Sequence, residues 1–247
     1  MLIARKTKYF YFLMVATFLT MFFSAFQCFA EKIPVAASIF PVADMVKQVG
    51  GDYVEVFSVI PPGASPHTYE PKPSVLKNIS SAKIFFMIGA GLEYWNEKFF
   101  KSAGGGTLRI VLSDGVDLIR EKEHHHDNKA GGHHSEEAFA NPHIWLDVKT
   151  AESMIKKIVA AISSVDKEHA SYYEERGNKY ISGLAELDRL IYKETGLFKI
   201  KRYVAFHPAW DYFARRYGLV SAGVIESVPG KSPKPIEIKR IIGDIRA

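Results

Sequence analysis

The apolar positions after residue 31 alternate between short β-rich runs and longer amphipathic runs. Five such runs succeed one another in the first part of the chain: IPVAAS, PVADMVKQVGG, YVEVFSVI, KPSVLKNISSA and KIFFMIGA. The first, third and fifth have the composition of buried strands, whereas the second and fourth open at or next to a proline, which suits the first turn of a helix. This alternation predicts an α/β fold in which helices cover a parallel sheet.

The pattern continues for one more helix and one more strand. We predict a helix from about Leu92 to Lys101, which stops before the glycines at 104 to 106, and a strand in LRIVLSDG. The GAG at residues 89 to 91 lacks the third glycine and the downstream acid of a dinucleotide-binding loop, so we predict an ordinary turn there.

The second half of the chain opens with two helices. The first, residues 148 to 164, places four apolar residues on one face: Ala151, Ile155, Ile158 and Ile162. We predict that Asp166 caps the second, which spans about thirty residues, or roughly 45 Å at 1.5 Å per residue. Its apolar stripe repeats every three or four positions, at Tyr173, Gly177, Tyr180, Leu184, Leu187 and Ile191. A coiled-coil segment would give the same stripe, but α/β patterns on both sides favour a rigid helix joining two lobes.

The α/β pattern resumes after this helix. RYVAF and GLVSAGVI have the composition of strands, AWDYFARRYG that of a helix ending at Gly218, and PIEIKRIIGDIRA that of a helix without a stop signal. We therefore expect a second parallel-sheet lobe that is incomplete in this sequence. The predicted boundaries are 1–30 for a signal peptide, 31–147 for the N-terminal lobe, 148–197 for the helices including the joining helix, and 198–247 for the start of the C-terminal lobe.

Residues 1 to 30 have the charge and hydropathy profile of a signal peptide. Three basic residues and no acid precede an apolar run from Tyr9 to Phe26, and CFA then provides small residues for cleavage near Ala30. The run is close to the length that spans a bilayer, so an uncleaved anchor is an alternative. Lipid attachment at Cys28 is another, although Gln27 stands where such signals favour a small residue.

Composition and charge limit the classes of function that this protein can have. The 247 residues are 47% apolar and 24% charged, which is typical of a globular protein. The leader holds three of the 32 basic residues and none of the 27 acidic ones, so the rest has a net charge of +2 and gives no reason to expect nucleic-acid binding. Cys28 is the only cysteine in the sequence, so a mature chain would offer only nitrogen and oxygen to a metal.

Three histidines share a local sequence pattern: His67 in GASPHTYEP, His143 in NPHIW and His207 in FHPAW. A proline adjoins each of them and restricts the backbone, so the imidazole is presented with little freedom. His67 and His207 follow strands, at the ends where open α/β sheets bind their ligands. Three neutral nitrogens suit Zn²⁺, whose tetrahedral shell a carboxylate or water would complete, whereas Mn²⁺ favours carboxylate-rich sites. We predict one shared zinc site.

A second cluster of histidines lies between residues 121 and 137, in EKEHHHDNKAGGHHSEE. Its glycines and interleaved acids indicate a mobile loop that chelates metal, and a solvated loop without that role is the alternative. Because ordering such a loop around an ion costs conformational entropy, we predict accessory, low-affinity binding there. The predicted accessory ligands are His124, His125, His126, His133 and His134.

Three stretches of the chain resemble the zinc and manganese solute-binding proteins of bacterial ABC transporters, the cluster A-I family, and most closely its periplasmic high-affinity zinc-uptake members. They are the run from Ser38 to Trp95, NPHIWLDV and FHPAWDYFARRYGL. The resemblance covers nearly all of the chain after the leader. It implies two α/β lobes joined by one rigid helix, with the metal in the cleft between them. It also implies that His67, His143 and His207 are metal ligands and that the fourth ligand is an aspartate or glutamate beyond Ala247. Within the family, a histidine-rich loop in this region is found in the zinc-specific members, so the resemblance implies zinc as the bound metal.

The function implied by this resemblance is that of a periplasmic receptor that captures Zn²⁺ as a transported ligand and delivers it to an ABC permease in the inner membrane. We expect a monomer without enzymatic activity and without a nucleic-acid partner. A manganese-binding or adhesin-type member of the same family is an alternative. A secreted zinc hydrolase is another, with Glu70 and Asp211 as the nearest candidate bases, although neither lies in a recognisable catalytic motif and H-E-x-x-H is absent.

Overall fold

A four-stranded parallel sheet forms the centre of the first part of the chain. In the computed structural model, which describes residue 14 and residues 31–103, 106–120, 140–226 and 232–246, its elements are β1 (Ile33–Ala37), α1 (Phe40–Gly50), β2 (Val54–Ser58), α2 (Pro73–Ser81), β3 (Ile84–Met87), α3 (Asn96–Ala103) and β4 (Leu108–Val111). The strands lie in the order β2-β1-β3-β4, and every pairing is parallel. The predicted alternation of strands and helices is confirmed.

Hydrophobic burial explains why β1 and β3 occupy the middle of this sheet. Every residue of β3 is buried, and so are the last three residues of β1. The edge strands β2 and β4 keep most of their residues partly or fully exposed. Burying one large apolar side chain stabilises a fold by about 1.5–3 kcal/mol, so the two most apolar runs take the central positions.

The turn after β3 delays the start of α3. Residues 89 to 91 all have positive φ, so the predicted turn is present. The carboxylate of Glu93 lies inside it and accepts the N–H groups of Ile88 and Gly89, both at 2.9 Å. Burial raises the pKa of Glu93. The helix predicted from Leu92 therefore begins only at Asn96, because the preceding residues wrap around this carboxylate.

The second part of the chain adds two long helices and a two-stranded sheet. Its elements are α4 (Val148–Val165), α5 (Ala170–Gly196), β5 (Arg202–Ala205), α6 (Asp211–Tyr217), β6 (Val220–Val224) and α7 (Pro235–Arg246). The two strands pair in parallel. Gly218, with φ of 66°, ends α6 in the left-handed conformation that favours glycine. The α/β class with two parallel sheets is thus confirmed.

The two long helices begin differently from each other. The carboxylate of Asp147 accepts the N–H groups of Lys149 and Thr150 and so caps α4, whose four predicted face residues are all buried. The prediction that Asp166 caps α5 is wrong, because His169 occupies the N-cap position. Asp166 lies just before the helix and bonds the Nδ1 of His169 at 2.8 Å.

Helix α5 has 27 residues, or a length of roughly 40 Å. It packs against α1, α4 and α6. A Cβ at Gly177 would lie 2.4 Å from Cγ2 of Val159, so glycine permits the close approach of α5 to α4. The predicted apolar stripe is buried at Tyr173 and Gly177, but Leu187 is 44% exposed, so the stripe is not buried along its whole length. The role of α5 as a rigid joint between lobes stays a prediction.

Two predicted segments lie outside the described residues. They are the signal peptide, of which only Met14 is described, and the histidine-rich segment, which falls within residues 121–139. Among the residues that are described, none of the helices combines the length and apolar character needed to cross a bilayer.

Candidate metal centre

The three proline-flanked histidines converge in space. One ring nitrogen from each of His67, His143 and His207 lies within 4.8 Å of those of the other two. The ring centroids are 4.9 to 5.2 Å apart. The residues come from three separate segments: the loop after β2, the segment before α4 and the loop after β5. The fold thus brings together the residues that the sequence analysis selected.

His143 is held by the segment around it. It is only 6% exposed, and the single 3₁₀ turn that follows it, Ile144–Leu146, begins with a fully buried isoleucine. The N–H of His143 donates to Oδ1 of Asn141 at 3.0 Å, and its ring Nδ1 lies 2.8 Å from the same oxygen. The other ring nitrogen, Nε2, faces the other two histidines.

Asn141 is a residue that the sequence analysis did not select. Its amide nitrogen donates to the carbonyl of Pro208 at 2.7 Å and to Oδ2 of Asp211 at 3.0 Å. The side chain that bonds His143 therefore also bonds the loop that carries His207. Asparagine two positions before a residue commonly accepts that residue's N–H, so the local bond was predictable, whereas the two distant bonds were not.

His207 lies two residues after β5, where its ring meets His143. The Nε2 atoms of these two histidines are 3.1 Å apart. Two nitrogens of a tetrahedral zinc shell, each about 2.0–2.1 Å from the ion, are separated by about 3.3 Å. The spacing of the pair is therefore close to that of two nitrogens that bind one ion.

His67 approaches from a turn in the loop after β2. The N–H of Thr68 donates to the carbonyl of Ser65 at 3.3 Å, which closes the turn. The Nε2 atom of His67 is buried and has no hydrogen-bond partner among the described residues. A buried polar atom without a partner destabilises a fold by about 1–3 kcal/mol, so this nitrogen fits a ligand that binds it.

The electrostatics of the site favour neutral imidazoles. Burial, and secondarily the nearby His207 and His67, lowers the pKa of His143 from 6.5 to about 3. Burial, followed by the charge of His207, also lowers the pKa of His67. At neutral pH both rings are therefore uncharged, which is the state that binds a cation.

The described residues on either side of the histidine-rich segment pair with each other beside the site. Arg120 and Ala140 form an isolated antiparallel bridge, and the N–H of Asn141 donates to the carbonyl of Ile119 at 2.8 Å. The hydroxyl of Tyr212, a fully buried residue of α6, donates to the carbonyl of Asn141 and accepts the N–H of Ile119. Tyr212 of α6 therefore holds Ile119 and Asn141 together.

An ion network holds α6 against the long helices. Both nitrogens of one edge of the Arg216 guanidinium bond the carboxylate of Asp188 on α5 at 2.6 Å. The hydroxyl of Tyr217 donates to the same carboxylate, and Asp147 lies 3.6 Å from Arg216. The hydrogen bond from Arg216 lowers the pKa of Asp188. This largely buried network fixes the helix that carries Asp211.

Neither of the two residues considered as the general base of a hydrolase is in a position that indicates this role. Glu70 is exposed to solvent. The Oδ2 of Asp211 accepts a hydrogen bond from Asn141, so this carboxylate takes part in holding the site together.

The fold is of the α/β class, and its three clustered imidazoles form a group that could hold a metal ion. The chain belongs to the family described as zinc-uptake complex component A, periplasmic, whose model matches residues 35–247. This confirms the family that the sequence motifs indicated.

Named relatives agree with this assignment. The chain is 29% identical over 212 residues to the high-affinity zinc uptake system protein ZnuA of Bacillus subtilis, covering 85% of this chain but only 66% of that protein. It is 29% identical to the manganese ABC transporter substrate-binding lipoprotein PsaA of Streptococcus pneumoniae, covering 87% of this chain and 69% of that one. A crystal structure of ZnuA matches with a TM-score of 0.75 at 28% identity, covering 86% of this chain and 77% of the other. The chain thus spans just under two thirds of the Bacillus subtilis relative.

Proposed function

We propose that this protein is the zinc-binding receptor of an ABC transporter, which captures Zn²⁺ and passes it to a membrane permease. The observation that supports this most directly is the pair of Nε2 atoms of His143 and His207, 3.1 Å apart and beside His67. The ion is cargo, so the site has to bind it without transforming it. Three imidazoles with one further position, filled by a carboxylate or water, suit that task.

Neutral ligands make capture efficient at neutral pH. Since the pKa values of His67 and His143 lie below their ordinary value, Zn²⁺ does not have to displace a proton from a charged ring at either position. The hydrogen bonds of Asn141 fix the positions of His143 and of the loop that carries His207 before the ion binds. Binding then costs less ordering of side chains than it would at a flexible site.

The histidine-rich segment supplies accessory binding in this proposal. Residues 121–137 gather ions weakly through their five histidines, and the triad binds one ion tightly. Arg120 and Ala140, the described residues on either side of it, pair with each other directly before Asn141, which supports this division of roles.

The proposed setting is the periplasm. Cleavage of the leader near Ala30 would release the chain as a monomer that docks on an inner-membrane permease. Retention by a lipid on Cys28 is the alternative, and the relative PsaA is named a lipoprotein.

Manganese is a second candidate cargo, because the similarity to a manganese-binding relative is as high as that to a zinc-uptake protein. The donor set favours zinc, since imidazole nitrogens suit Zn²⁺ and carboxylate oxygens suit Mn²⁺. The names and descriptions of these relatives are those of transport components, and none of them names a catalytic activity.

Metal analysis of the purified full chain tests the proposal. We expect one tightly bound zinc ion per chain, which excess Mn²⁺ does not displace, together with weaker zinc equivalents and no esterase turnover. A chain that binds Mn²⁺ more tightly than Zn²⁺, or one that hydrolyses an ester when loaded with zinc, would contradict it.

A further inference from the structure

We propose that Asn141 is the positioning residue of the metal centre. Its amide fixes the tautomer of His143 and ties that histidine to the loop that carries His207. The inference rests on the proposed function, because it concerns the same zinc ion. Asn141 is 2% exposed, and its side chain makes four hydrogen bonds of 3.0 Å or less.

The partners of the amide determine which way it points. The backbone N–H of His143 is a donor, so it requires the amide oxygen, and the carbonyl of Pro208 is an acceptor, so it requires the amide nitrogen. With the oxygen fixed, the ring Nδ1 at 2.8 Å must carry the hydrogen, because two acceptors at that distance would repel each other. The lone pair of His143 is then on Nε2, the atom that lies 3.1 Å from His207.

The same amide joins two distant parts of the chain. Its nitrogen bonds the residue after His207 and the first residue of α6, while its oxygen bonds the histidine two positions along its own segment. The separation of the two Nε2 atoms therefore depends on one planar group of fixed shape. Partners that orient a metal ligand in this way typically contribute 10–100-fold to metal affinity.

The first experiment compares Asn141→Ala with His143→Ala and with Asn178→Ala, an exposed asparagine on α5 that serves as the control. Calorimetric titration with zinc, on variants whose circular dichroism matches that of the unmodified chain, should show a 10–100-fold loss for N141A and no change for N178A. Cobalt(II), bound in place of zinc, should give an altered visible spectrum in N141A. Unchanged affinity and spectrum in N141A would overturn the inference.

The second experiment restores the hydrogen bond between positions 141 and 211 with its donor and acceptor exchanged. Asn141→Asp keeps an oxygen for His143 but sets a carboxylate against Asp211, so affinity should fall. Adding Asp211→Asn supplies a new amide donor, and the double variant should recover about threefold or more of the lost affinity relative to N141D, with D211N completing the cycle. A double variant no better than N141D would show that the link to α6 does not position the site.

The third measurement is made on the unmodified, metal-free chain, so its outcome does not depend on whether a variant of Asn141 folds. Nitrogen-15 NMR of histidine-labelled protein should place the ring hydrogen of His143 on Nδ1, with the resonance assigned by its absence from H143A. A hydrogen on Nε2 would overturn the inference. If H143A itself binds zinc as tightly as the unmodified chain, the proposed function fails. If H143A loses binding and N141A does not, only the role of Asn141 fails.

Discussion

His143 and His67 face the same site but are held in different ways. His143 is nearly inaccessible, and Asn141 bonds both its backbone and its ring. His67 is half-buried on a turn, and its Nε2 meets no hydrogen-bond partner within the described chain. One side of the site is thus fixed by the protein, while the other keeps a donor atom unpaired. The difference indicates that the fold itself sets the position of the His143–His207 pair, whereas His67 offers a nitrogen that no described residue bonds.

The largest effect is expected from removing the donors themselves. Replacing His67, His143 or His207 by alanine should each weaken tight zinc binding by at least about tenfold, because each contributes one ligand nitrogen. Calorimetric titration measures this. His169→Ala is the control, since that ring stacks on Tyr53 and bonds Asp166 at the start of α5. Equal zinc affinities in all four variants would show that the triad is not the zinc site.

The stability of the metal-free chain should distinguish the roles of His143 and His67. H143A leaves the oxygen of Asn141 without its ring partner and should lower the free energy of unfolding by about 1–3 kcal/mol. H67A removes a nitrogen whose burial without a partner is itself unfavourable, so it should lower this free energy by less than H143A does. Urea denaturation in the presence of a chelator compares them. Equal losses would show that the two histidines are held equally.

The pH dependence of stability should follow from the lowered pKa values. Because His143 and His67 have lower pKa values in the folded chain than in the unfolded one, protons bind the unfolded state more readily. The metal-free chain should therefore be most stable above about pH 6.5 and lose stability as the pH falls toward about 3. Thermal unfolding across this range measures the effect, and H143A should flatten the curve. A gain in stability on acidification would contradict the assignment.

The same shifts refine the expected pH dependence of affinity. Ordinary histidines would lose zinc between about pH 7 and 5. Burial moves protonation of His143 and His67 to lower pH, so affinity should persist to lower pH than it would with ordinary histidines. Titrations from pH 7 down to about 3 decide between these profiles, and an affinity that is unchanged at about pH 3 would mean that histidines are not the ligands.

The smallest effect on tight binding is expected from deleting residues 121–137. The triad and Asn141 lie outside that segment, and the bridge between Arg120 and Ala140 closes its ends. The variant should lose the weaker zinc equivalents and take up zinc more slowly when zinc is scarce, yet keep one tight site. Loss of the tight site, or full zinc stoichiometry, would contradict this division of roles.

The sequence predicted most of the fold because apolar periodicity and proline positions are local signals. It missed the start of α3 and the cap of α5, where one carboxylate, of Glu93 or Asp166, reorganises a turn through several bonds at once. It selected the three histidines from their prolines. It did not select Asn141, since its bonds to Pro208 and Asp211 join residues far apart in sequence, and no local pattern records such a contact.

The bridge between Arg120 and Ala140 also bears on how this chain can vary over time. Because Arg120 and Ala140 pair directly, a change in the number of residues between them does not by itself move Asn141 or His143. For a flexible loop, each doubling of length adds only about 0.6 kcal/mol of closure entropy. We therefore expect the number of histidines between these two residues to vary without a change in the triad.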